Sequence, residues 1–217
     1  VISIRLRVFP FCVLQTLCHD LRRNVAPMDK AAADLLERRR GDENEYRGRH
    51  ALFDLQRADD ITLIITVDCG ITAIDETNYA LQRGIDMVIT DHHECSGQAI
   101  PNAVAVVDPK RPGSQYPNGG LAGVGVAYKL LCALEGDSEQ VLRDYGDLVA
   151  IGTVADVMPL VGENRTIVRE GLSLLQDTMR PGLHALLESA GCGGKPVTAD
   201  TVSYSLAPRL NAAGRMD

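Results

Sequence analysis

The chain of 217 residues has no tryptophan, and aromatic residues make up only 4% of it. That scarcity argues against a surface of stacked rings of the kind that grips single strands without sequence preference. Positive charge is also in deficit, with 22 Lys and Arg against 29 Asp and Glu, a net charge of −7 and a pI near 5.2. Taken whole, such a chain repels a polyanion, so any contact with nucleic acid must be made locally. The acidic excess suits a site that gathers divalent cations, although many cytoplasmic enzymes are acidic for other reasons. No apolar run reaches the roughly 18 residues needed to cross a bilayer, so neither an integral membrane protein nor a membrane partner is expected.

Cysteine-based metal and disulfide patterns are missing too. Cys12, Cys18, Cys69, Cys95, Cys132 and Cys192 form no C-x-x-C pair and no zinc-finger spacing, which predicts free thiols in a reducing cytoplasm. The apolar stretch from Val8 to Cys18 follows two arginines but has no small-residue cleavage site, and the chain opens on Val rather than Met. A targeting role is therefore the lesser reading. There are no internal repeats and no low-complexity tract.

What is present is the balance of a globular protein, with 45% hydrophobic and 24% charged residues, and a length suited to one domain or one domain with an appendage. Ile61 to Val67 is a β-branched run ending in Asp-Cys-Gly, which predicts a buried strand closed by a turn. A helix over Ala73 to Arg83, stopped by Gly84, leads to a second strand over Asp86 to Thr90 and a third over Ala103 to Val107. Strand, helix, strand with continuous apolar strands predicts an α/β fold, a parallel sheet flanked by helices. From Gly123 the period becomes helical over 124–134, 139–158, 166–177 and 183–191, with loops at Pro109 to Gly120 and Gly191 to Pro196. Residues 1–60 read as a separate segment: Met28 to Arg40 suits a helix, Glu37 to Arg49 mixes charges without an apolar period, and the first 27 residues suggest no element.

Ligands of parallel sheets bind beyond the carboxyl ends of the strands. Asp68 directly follows the first predicted strand, and Asp91, His92 and His93 directly follow the second, so these groups project into one crevice. Carboxylates with imidazole suit Mn²⁺, or Mg²⁺ with fewer imidazoles, better than a thiolate-loving metal. Taken singly, a strand-end Asp is more often a cap or turn former. Asp156 adds weight because it lies in the apolar stretch DLVAIGTVADVMPL, where an ionised carboxylate is costly unless paired or metal-bound; Arg165 is the alternative partner. Gly123 and Gly125, opening a predicted helix, either bring backbone amides to a phosphate or simply allow close helix-to-sheet packing.

The segments ITVDCG (65–70), TDHHE (90–94), LAGVGVAYKL (121–130), DLVAIGTVADVMPLVGENR (147–165) and PRLNAAGRM (208–216), in this order, resemble the DHH phosphoesterases, specifically the RecJ-like exonucleases. The resemblance covers 61–217 and implies a DHH phosphoesterase domain there, lacking the domains that follow it in the family. It implies 5′-to-3′ degradation of single-stranded DNA in DNA repair and recombination, with repair or replication proteins as further partners and a cytoplasmic location. It assigns Asp68 to the carboxylate bridging two Mn²⁺ or Mg²⁺ ions, His92 and Asp156 to ligands of one of them, and Asp91 to the supporting acid. His93 then faces the scissile phosphate, and Arg209, Asn211 and Arg215 lie near the nucleic-acid backbone, where guanidinium groups suit phosphate oxygens. The implied chemistry is two-metal hydrolysis by an in-line water, with no covalent enzyme intermediate, which leaves Cys69 and Cys95 as bystanders. Val161 to Arg165 matches the family's turn into the next helix and is expected to be structural.

One departure stands out. The family carries Asp-x-Asp-x-Asp-Gly on the strand before the one ending at Asp68, and this chain has no such motif. Asp20, Asp29, Asp34, Asp59 and Asp60 lack that spacing. The expectation is therefore at most one ion, weakly bound, and little or no hydrolysis. A fragment, an altered reading of the N-terminal segment and a divergent inactive homologue would each account for it. Two other functions stay open: a DHH phosphodiesterase acting on oligoribonucleotides or cyclic dinucleotides, and a non-catalytic RecJ-like scaffold subunit.

Overall fold

The computed structural model describes residues 4–7, 62–95 and 99–213, with backbone alone for 4–7 and 213. Four strands, β1 (Ile4–Arg7), β2 (Leu63–Val67), β3 (Asp86–Thr90) and β4 (Ala105–Val107), form one sheet in the order β1-β2-β3-β4. Every pairing is parallel: Ile4 to Arg7 lie beside Leu63 to Thr66, Leu63 to Val67 beside Asp86 to Thr90, and Val88 to Thr90 beside Ala105 to Val107. The expected α/β class and three of these strands follow the sequence reading. β1 was not anticipated, and the expected helix over Met28 to Arg40 lies outside the described residues.

β2 and β3 are covered on both faces, as their apolar runs require. Ile64 and Met87 pack with Ile85 and with Ala80 of α1 (Ile74–Gln82), the crossover between β2 and β3, which ends two residues before Gly84. Leu63, Ile65 and Val67 face the larger core on the other side. Four helices build that core: α2 (Gly123–Glu135), α3 (Ser138–Ala155), α4 (Gly162–Gln176) and α5 (Pro181–Ser189). Three turns complete the described chain: α6 (Ala199–Thr201), a wider turn over Val202–Leu206, and α7 (Ala207–Ala213). Pro208 has no N–H to offer Tyr204, and the helix is loosely wound just ahead of it.

α3 is the spine. Leu148, Val149, Ala150 and Ile151 are consecutive and all buried, so over this turn the helix is apolar around its whole girth, whereas its first turns expose Glu139, Gln140, Arg143 and Asp144. Its one buried charge, Asp147, is neutralised by Arg180 (Nε to Oδ2, 3.0 Å) and accepts from the Thr178 hydroxyl at 3.2 Å. Two boundaries differ from the sequence reading. α3 stops at Ala155 rather than near Met158, with Asp156 as its C-cap, and α4 begins at Gly162, so the expected turn Val161 to Arg165 is helical beyond Val161, its N-cap.

Candidate metal centre

The carboxyl ends of β2, β3 and β4 each deliver an Asp: Asp68, Asp91 and Asp108. Asp68 sits at φ +62°, a left-handed conformation that Asp tolerates better than most residues, at a cost of about 1 kcal/mol. The turn holds it there: its N–H donates to Thr90 O at 3.0 Å, and the Thr66 hydroxyl donates to Cys69 O at 2.7 Å. Gly70 completes the turn at φ +115°, where a Cβ would meet Thr66 Oγ1 at 2.8 Å and Ile89 Cγ2 at 3.1 Å, so no other residue fits.

Asp91 organises the site rather than facing its centre. It is buried, and its two oxygens accept four bonds: from the N–H of Ile71 (2.9 Å), His92 (2.7 Å) and His93 (3.2 Å), and from His93 Nδ1 (2.6 Å). Burial alone would raise its pKa, but these donors outweigh burial and hold the carboxyl below its ordinary value. One carboxylate thus ties the turn after β2 to the turn after β3.

His92 is oriented from behind. Its Nδ1 lies 3.1 Å from Leu121 O, and a carbonyl can only accept, so Nδ1 carries the hydrogen. Nε2 then points at Asp68 Oδ1 (3.0 Å) and Asp156 Oδ2 (3.5 Å). In the neutral ring Nε2 has no hydrogen, so three lone pairs converge with no proton among them, and Asp68 Oδ1 is buried without a donor. Only protonation of the ring turns the 3.0 Å approach into a hydrogen bond. Burial opposes that, yet the bond to Asp68 and the charges of Asp68, Asp156 and Asp91 prevail, and the His92 pKa is raised above 6.5.

This arrangement fits a divalent cation. Two carboxylate oxygens and an imidazole nitrogen match Mn²⁺ or Mg²⁺, and an N–H given to a backbone carbonyl is the usual brace of a metal-ligating His. Asp68, His92 and His93 also offer ligand atoms that lie within 4.8 Å of one another. His93 is different in kind: its side chain is 59% exposed and its Nδ1 is fixed on Asp91, which leaves Nε2 free toward solvent.

Gly123 clarifies the glycine question. A Cβ there would fall inside the Asp68 carboxylate, so the first residue of α2 must be glycine for Asp68 to occupy its place. Gly125 packs on Leu121, in line with the packing reading.

The burial expected for Asp156 is corrected. Its side chain is 41% exposed at the end of α3, followed by Val157 in a left-handed conformation at φ +55° that a β-branched residue rarely adopts. Its ionic neighbour is His92, not Arg165. Burial and the charge of Asp68 still push its pKa up, against the pull of His92.

Asp108 was missed by the sequence reading. It is 3% exposed, Oδ1 accepts from Lys110 N at 2.7 Å, Oδ2 has no partner, and burial first pushes its pKa up. Its position at a third strand end is the signal that could have found it. Arg209 is exposed on α7 and bonds back to Ser205 O at 2.6 Å. Asn211 is partly buried, and Arg215 lies outside the described residues. Among the described residues no hydrogen bond or ion pair joins Arg209 or Asn211 to the group around His92.

A parallel sheet with this group at its carboxyl end is the setting of a metal-dependent phosphoesterase, and comparison with known proteins agrees. The model of the DHH family, N-terminal domain, matches residues 11–153, beginning inside the segment that the motifs alone had left aside. The chain belongs to the DHH family. It is 49% identical over 156 residues to the single-stranded-DNA-specific exonuclease RecJ of Bacillus subtilis, a match covering 72% of this chain and 19% of that protein. Its fold is similar to Thermus thermophilus RecJ in complex with Mn²⁺, with a TM-score of 0.69, 33% identity, and 98% of this chain and 30% of that chain covered. It is also similar to an exonuclease RecJ bound to manganese, with a TM-score of 0.63, 36% identity, and 80% and 42% of the two chains covered. The chain spans about a fifth to a third of the length of the curated RecJ relatives it matches.

Proposed function

We propose that this chain is the greater part of the phosphoesterase domain of a RecJ-like exonuclease, hydrolysing single-stranded DNA from its 5′ end in DNA repair and recombination. The observation that carries the proposal is the convergence of Asp68 Oδ1, His92 Nε2 and Asp156 Oδ2 with no proton between them in the neutral ring. These three side chains hold the divalent cation, Mn²⁺ or Mg²⁺. When bound, the ion neutralises the paired carboxylates and withdraws charge from a phosphodiester oxygen. Asp91 fixes the His93 tautomer, so that His93 presents Nε2 beside the scissile phosphate, where it can accept the proton that the attacking water gives up. Arg209, Asn211 and Arg215 meet the DNA backbone.

The same reading limits the activity. β1 lies beside β2, where the family carries its acidic motif, yet after Arg7 the sequence runs Val-Phe-Pro-Phe with no acid before Asp20. One ion is retained and held weakly, and turnover is low. That deficit also favours a second reading, a non-catalytic RecJ-like subunit that binds repair or replication proteins.

The test is cleavage of 5′-phosphorylated single-stranded DNA and of dinucleotides with Mn²⁺, by the chain as it stands and by one carrying Asp-x-Asp-x-Asp-Gly after β1. Little cleavage by the first and degradation of single-stranded DNA by the second support the proposal. Preference for dinucleotides points to the oligonucleotide phosphodiesterase. Failure of both chains on every phosphodiester favours the scaffold subunit.

A further inference from the structure

Asn164 belongs to the segment Val161 to Arg165 that the sequence suggested was a structural turn. It lies in the first turn of α4 and is 2% exposed. Its amide nitrogen donates to two carbonyls, Gly120 O at 2.6 Å and Pro159 O at 3.0 Å, and its Oδ1 accepts from Asn118 Nδ2 at 3.3 Å. Asn118 Oδ1 in turn accepts from Gly120 N at 3.0 Å. Two amides thus clasp the backbone at Gly120.

The two carbonyls belong to the two arms of the metal centre. Gly120 precedes Leu121, whose carbonyl receives the His92 ring hydrogen, and lies three residues ahead of Gly123, which abuts Asp68. Pro159 lies three residues past Asp156, across the left-handed Val157. Both protons of one planar, buried amide therefore span the gap between the arm that orients His92 and the arm that carries Asp156. An outer brace holds the clasp: Glu163 accepts from Tyr116 (2.7 Å), Asn118 (3.2 Å) and Lys129 (3.0 Å).

We infer that Asn164 is a positioning residue of the metal centre, setting the separation of His92 Nε2 and Asp156 Oδ2 by holding Gly120 and Pro159 on a single side chain. The inference rests on the proposed function only in taking His92 and Asp156 as the pair to be held. Asp at this position has the same shape and keeps one acceptor, but it loses both donors and sets a charge against two carbonyl oxygens. The two arms then part, and the Leu121 carbonyl drifts from the His92 ring.

An amide that merely stabilises the start of α4 would cost stability and nothing else, so stability is matched by a control. Ile167→Ala removes a buried side chain from the same helix, one outside the clasp. The measurement is the ¹⁵N spectrum of the imidazoles in the metal-free protein, with exchange of the His92 Nδ1 hydrogen, followed by Mn²⁺ titration. The parent and Ile167→Ala are expected to keep a protected Nδ1 hydrogen, and Asn164→Asp to lose that protection and about tenfold or more in Mn²⁺ affinity. Asn118→Ala, which loosens the clasp from outside, is expected to lose protection in the same direction. The inference is overturned when Asn164→Asp, or Asn118→Ala where the first variant does not fold, protects the hydrogen as the parent does. Equal loss in Ile167→Ala overturns it as well. A parent that takes up no Mn²⁺ sinks the metal reading, while the imidazole measurement still decides this inference.

Discussion

His92 Nε2 lies 3.0 Å from Asp68 Oδ1 while the other nitrogen of the same ring is committed to the carbonyl of Leu121. Under the proposed function the pair has two forms, an imidazolium bonded to a carboxylate, or a neutral ring and a carboxylate that would share a cation. Protons and metal would then compete for one position.

The competition has a definite sign. The His92 pKa is raised in the folded metal-free protein, so its contribution to stability is complete below pH about 6.5, the unfolded value, and is lost as pH rises through the folded value. Metal needs the deprotonated ring, so Mn²⁺ affinity and the Mn²⁺-induced gain in Tm rise over that same interval. Thermal melts with and without Mn²⁺ across this range check both trends. His92→Gln is expected to flatten both, and a Mn²⁺ gain that grows toward low pH would contradict the account.

Asp91 titrates the opposite way. Its folded pKa is lowered, so its contribution is present above the usual carboxylate value and is lost as pH falls through the folded value. Asp91→Asn sets an amide N–H against a donor from Ile71 or the His92–His93 pair and is expected to cost about 1–3 kcal/mol at neutral pH, read by urea denaturation. It should also remove part of the acid sensitivity below pH about 4. A variant as stable as the parent would show that the carboxylate does not organise the turns.

Gly123→Ala places a methyl group where the Asp68 carboxylate lies. Overpacking of this kind costs roughly 1–3 kcal/mol, and a displaced Asp68 is expected to weaken Mn²⁺ binding beyond what that loss of stability explains. Gly125→Ala, against the flexible end of Leu121, is the milder comparison. Equal Mn²⁺ affinity in the two variants would argue against the close approach of α2 to Asp68.

The sequence made the strand ends legible because an apolar β-branched run that stops at Asp has few other meanings in a parallel sheet. Asp68 and Asp91 to His93 were singled out that way, and the order of five segments supplied the family. Asp156 was read as buried because a linear window of apolar residues cannot reveal that α3 ends one residue before it. Asp108 escaped notice although it directly follows the expected strand Ala103 to Val107, because Pro109 next to it made it read as part of the loop. Asn164 had no chance of being recognised, since its partners Gly120 and Asn118 are more than 40 residues away and no local period encodes that meeting. The absent acidic motif was legible at once, but the strand β1 that pairs with β2 was not.

The most direct measurement is anomalous diffraction at the manganese edge from crystals of the chain grown with Mn²⁺. The account predicts one peak coordinated by Asp68, His92 and Asp156, with the His92 ring still bonded to Leu121. Density elsewhere, or a His92 ring turned away from Asp68 and Asp156, would contradict it.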